Sequence, residues 1–152
     1  MPHFSDLRAA RRHGSAYHRS KAILTMAIIV ADADRDLAEA EVAAICAAAT
    51  TVPGLSALPA SALKAAVEEV IRNLQDGGTE DVFEHAVQHL DDTGKIAAVL
   101  LASQVALSDG PVSSAQAAVL DPMTRRLGIT PVRQEAITRM ARHRLSRTEA
   151  GR

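Results

Sequence analysis

The side chains best placed for chemistry in this sequence are carboxylates. Asp32, Asp34 and Asp36 alternate directly after an apolar run, Glu41 follows, and Asp109 stands after a second apolar run. Hard cations such as calcium take clustered oxygen ligands, and alternate carboxylates in a loop can converge on one ion. Asp32, Asp34 and Asp36 are spaced like the first three ligands of an EF-hand loop. Leu37 stands where that loop needs its glycine and Ala43 where it needs its bidentate glutamate, which argues against a true EF-hand. Two readings stay open. In the first, Asp34, Glu41 and Asp109, with Asp32, form a divalent-cation site. In the second, Asp34 shapes a turn and Glu41, third in a helix start, reaches back to cap it.

His85 and His89 are four apart on an expected helix and so share a face, as zinc-ligating pairs do. The zinc-protease order needs a glutamate directly after the first histidine, where Ala86 stands instead. Asp92 is the nearest further ligand, and two exposed histidines is the simpler reading. His3, His13 and His18 lie in a basic segment and indicate no site. Cys46 sits among Ala43, Ala44, Ala47 and Ala48, which suits a small core residue. As the only cysteine it forms no internal disulfide, in keeping with a reducing compartment. Gly77-Gly78 lacks the lysine and preceding strand of a phosphate loop. No nucleophile with its base is identifiable, so an enzyme is not expected.

The elements that position these residues read as helices throughout. Aromatics are 2% of the chain, so the core is aliphatic and rich in alanine, which favours helices because its side chain loses no entropy there. Residues 1–18 form a basic arm or short helix, residues 19–147 a single helical domain and residues 148–152 a frayed tail. Residues 19–33 are apolar nearly all round, as in a central helix, and residues 96–107 repeat that character. The spacing predicts further helices over 38–50, over 59–75, after Thr79 as N-cap, from about Ser113 to Gly128, and from Thr130-Pro131 onward. Asp92 or Thr93 is expected to cap the helix holding the second apolar run, and Ser113 with Gln116 to form a capping box. Ile137, Met140 and Leu145 are the apolar residues of the last helix.

The runs at 19–33 and 96–107 are too short to cross a membrane. Residues 22–33 resemble the core of a signal peptide after their basic flank, but the recurrence of such a run mid-chain favours a buried helix. The charge is unevenly spread. Residues 1–30 carry five basic side chains and one acidic, residues 31–121 four and fifteen, and residues 122–152 eight and two. An acidic body with few stacking aromatics opposes nucleic-acid binding despite the C-terminal arginines.

Shifted by 75 residues, the sequence lies over itself without gaps: 24–41 over 99–116, with Val30 on Val105, Ala31 on Ala106 and Asp34 on Asp109. Each copy reads as an apolar helix, an aspartate, an apolar residue three on (Leu37, Val112), then Glu41 or Gln116 seven on. This suggests an internal duplication, with the two central helices packed about a pseudo-two-fold axis. The doubled pattern resembles the TerB-like tellurite-resistance family, whose relatives include the N-terminal region of a membrane-anchored DnaJ-like co-chaperone. The resemblance covers roughly residues 20–130. It implies an all-α fold of about seven helices and an acidic cluster that binds a divalent cation such as calcium. It also implies a protein partner in a membrane-associated stress complex, and hence a cytoplasmic, peripheral location at the inner membrane. Asp34, Glu41 and Asp109 match its motifs. Arg35 replaces the first glycine and Gln116 the second glutamate.

Overall fold

A computed structural model describes the backbone of residues 4–34, 39–52, 54–108 and 110–150, and the side chains of 16–33, 39, 41–52, 54–108 and 110–146. Seven α-helices and no strand are found among the described residues. They are α1 (Phe4–Ala31), α2 (Glu39–Ala49), α3 (Ala60–Gly77), α4 (Thr79–Val87), α5 (Asp92–Leu107), α6 (Ser114–Arg126) and α7 (Pro131–Ala150). The basic segment expected as a separate arm or short helix continues the central helix, so α1 is 28 residues long.

Two stretches are buried at every position, 22–31 in α1 and 97–106 in α5. A helix loses water on all sides only if neighbours cover all sides. α1 and α5 form the most extensive helix pair of the fold, α7 and α2 cover α5, and α3 and α4 cover α1. α6 touches both central helices. The 75-residue shift carries the first buried stretch onto the second. Two buried hydroxyls are satisfied within their own helices: Thr25 Oγ1 of α1 donates to the Lys21 carbonyl at 2.7 Å, and Thr124 Oγ1 of α6 donates to the Leu120 carbonyl at 2.7 Å. Ser103 Oγ and Gln104 Oε1 have no partner, although the Gln104 amide donates to Thr51 Oγ1 at 3.3 Å.

The ends of the helices follow local chemistry, with three shifts from the expected positions. Gly78, at φ 80°, caps α4, so Thr79 is its first helical residue. Asp91, not Asp92 or Thr93, caps α5 and accepts the Gly94 N–H at 2.7 Å. In α7, Met140 is 47% exposed while Ala141 is fully buried, so the inward face is Ile137 and Ala141, with Leu145 half-buried. The capping box at Ser113 and Gln116 is present in both directions, and Thr130 Oγ1 accepts the Arg133 N–H at the start of α7. The C-terminal arginines are partly structural: Arg144 donates to the Thr51 carbonyl at 2.7 Å.

Gly94 is packed tightly. A Cβ there would lie 2.9 Å from Asp91 Oδ1 and 3.2 Å from Leu90 Cδ2. The same carboxylate oxygen accepts from Arg19 Nε at 3.3 Å, which ties α1 to the start of α5. Overpacking costs about 1–3 kcal/mol, against the ~1 kcal/mol an alanine gains over glycine inside a helix. Gly94→Ala is therefore expected to lower the urea midpoint, and an unchanged or raised midpoint would show that the cap can move aside.

Candidate functional sites

The acidic turn lies at the C-terminal end of α1. Asp32–Asp34 continue it as one 3₁₀ turn, with Asp32 exposed. This turn packs against α6, the helix that follows Asp109 in the chain. Glu41 is half-buried in the first turn of α2. The side chain of Asp34, and Asp36 and Asp109 entirely, lie outside the described residues. Among the described residues no three His, Cys, Asp or Glu side chains converge as a metal site. Gln116, which matches Glu41 in the shifted alignment, accepts the Ser113 N–H at 3.2 Å and is committed to its cap. Cys46 is half-buried, and desolvation pushes its thiol up from the ordinary value.

At the other end of the described core lies a cavity of about 360 Å³ between α1, α3 and α4. Its inner wall is Ala22, Val82 and Ala86. One side is a group of three imidazoles. His18 stacks on His89 with ring centroids 5.0 Å apart and planes at 23°, and His85 meets His89 edge-on at 5.2 Å. Opposite in character are Asp76 and Asp81, which also line the space. His85 and His89 are thus neighbours as the spacing predicts, although His89 lies in the turn beyond α4. The sequence reading missed His18. It is 71 residues from His89, and only the packing of α4 on α1 brings them together.

The Lys21 ammonium lines the same cavity but donates to Glu69 Oε1 at 2.8 Å. Glu69 also accepts from Tyr17 Oη at 2.7 Å, and these two hydrogen bonds hold its carboxyl below the ordinary range. His89 is pushed below its ordinary 6.5, first by desolvation and then by the nearby His18, His85 and Lys21. The unfolded chain therefore binds this proton more readily than the folded one. Stability from this group is complete above 6.5 and is lost as the pH falls below it. Calorimetric scans between about pH 7 and 5, above the range where carboxylates titrate, should show a falling Tm. His89→Gln should flatten that slope, and an equal slope in the variant would place the effect elsewhere.

The fold and its turns define a class: a helical domain with two buried apolar helices, the first running into an acidic turn. The family model for tellurite resistance protein TerB matches residues 20–139, and the chain belongs to that family. No curated protein and no solved structure matches the chain.

Proposed function

We propose that this chain is a non-catalytic helical module of a tellurite- and metal-stress response. It acts by binding: the carboxylates after α1 and α5 hold a divalent cation, calcium first among the candidates, and present the loaded acidic surface to a protein partner. The observation that carries this reading is the family match over 20–139, which spans both buried helices and the aspartates that follow them. The packing of the Asp32–Asp34 turn on α6 supports it, because α6 leads back to Asp109. No helix among the described residues is long and apolar enough to cross a membrane. A membrane-associated complex would hold the module peripherally, on the cytoplasmic side of the inner membrane.

One observation favours a second reading, a metal-independent adaptor or co-chaperone-type interaction domain. Gln116 serves a cap, and Arg35 follows Asp34 in the sequence, so a site drawing on both halves has one carboxylate fewer and a neighbouring cation. The deciding experiment is stabilisation by divalent ions in wild type and in Asp34→Asn/Asp109→Asn. The first reading requires stabilisation that the double variant loses.

A further inference from the structure

We propose that the cavity between α1, α3 and α4 binds a small organic cation with an aromatic or apolar body. This site is separate from the acidic turn: His18 and Ala31 are 13 residues apart on α1, about 20 Å along the helix axis. The volume, about 360 Å³, lies within the range of small-molecule sites. Such sites combine apolar walls with a few polar groups that select the ligand. Here Ala22, Val82 and Ala86 form the apolar wall, and the histidine group supplies aromatic surface for stacking.

The charge of the ligand follows from which groups are already matched. Lys21 is neutralised by Glu69. Asp76 and Asp81 have no ion-pair or hydrogen-bond partner among the described residues. Two unmatched carboxylates beside an apolar wall select a positive head group, and an ammonium would gain charge-assisted hydrogen bonds from them. A metal ion is the poorer occupant. The imidazoles stack on one another, and no three ligands converge on a point among the described residues. An anion would need charged imidazoles, but His18 and His85 on either side of His89, with Lys21 close by, resist a further positive charge there.

Three indoles of similar size that differ in charge provide the test: tryptamine as the cation, tryptophol as the neutral form and indole-3-acetate as the anion. Titration followed by calorimetry and by the histidine ring resonances should show tryptamine binding. Tryptophol should bind about tenfold more weakly or worse, and indole-3-acetate should not bind. Asp76→Asn/Asp81→Asn should cost tryptamine a similar factor. Asp92→Asn, an exposed position away from the cavity, should change nothing. Acid should weaken tryptamine binding as His89 takes up a proton facing His18 and Lys21 on α1, Asp76 on α3, and Asp81 and His85 on α4. Equal affinity for tryptamine and tryptophol in the wild type, or no tryptamine binding at millimolar concentration, would overturn the proposal without reference to any variant. Unaltered tryptamine affinity in a folded double variant would do the same.

Discussion

Leu101→Ala should destabilise the protein by about 3 kcal/mol, within the roughly 2–5 kcal/mol that fully buried leucines cost on truncation. Leu101 is 0% exposed at the middle of α5, where the helix is enclosed by α1 and α7. Its neighbours Ala98 and Ala102 are also fully buried and too small to fill the space left behind. A cavity between rigid helices collapses little, so the loss should exceed the transfer energy of the removed carbons. Leu107→Ala, at the half-buried end of the same helix, should cost clearly less. Urea unfolding measures both. Native-state amide exchange adds a second reading: 22–31 and 97–106 should be the slowest segments and lose protection together, as expected of units that open only with global unfolding. Fast exchange in either segment, or equal costs for Leu101 and Leu107, would contradict a core centred on α1 and α5.

That core was legible because its signal is simple. A helix enclosed by others must be apolar on every face, and residues 22–31 and 97–106 are nearly so in sequence. The capping box at Ser113 and Gln116 and the start of α7 at Thr130-Pro131 were readable for a similar reason, since each depends on residues within one turn. The cap of α5 was not. Asp91, Asp92 and Thr93 are consecutive competent caps, and no local rule ranks them. The selection of Asp91 goes with the bare backbone at Gly94, three residues on, and with the contact from Arg19, which is 72 residues away and not visible in the sequence around the cap. Met140 and Ala141 exchanged faces because the rotation of α7 is decided by its fit on α5. The same limit hid the histidine group. The pair His85 and His89 could be read from its spacing, but His18 joins it through tertiary packing alone. For the acidic residues, the sequence provides a doubled pattern whose members are far apart, so their convergence is a statement about geometry that spacing cannot make.

The second large effect concerns those residues and the reading of the protein as a binding module. Carboxylates gathered at one site repel one another in the ion-free protein. Asp34→Asn/Asp109→Asn should therefore leave ion-free stability unchanged or slightly raised. The ion, by contrast, binds the folded state and stabilises it by mass action. At a hundredfold excess over the Kd, this amounts to about 2.7 kcal/mol, which for a domain of this size raises Tm by roughly 5–10 °C. If the carboxylates only cap and turn the chain, no such gain exists, and Glu41→Ala should cost about 1 kcal/mol through the lost cap.

Thermal melts of the wild type and the double variant, each with calcium, magnesium, manganese and zinc in turn, separate these outcomes most directly. At least one ion should raise the wild-type Tm by several degrees and leave the double variant unmoved. Identical responses of the two proteins to all four ions would contradict the cation-site reading.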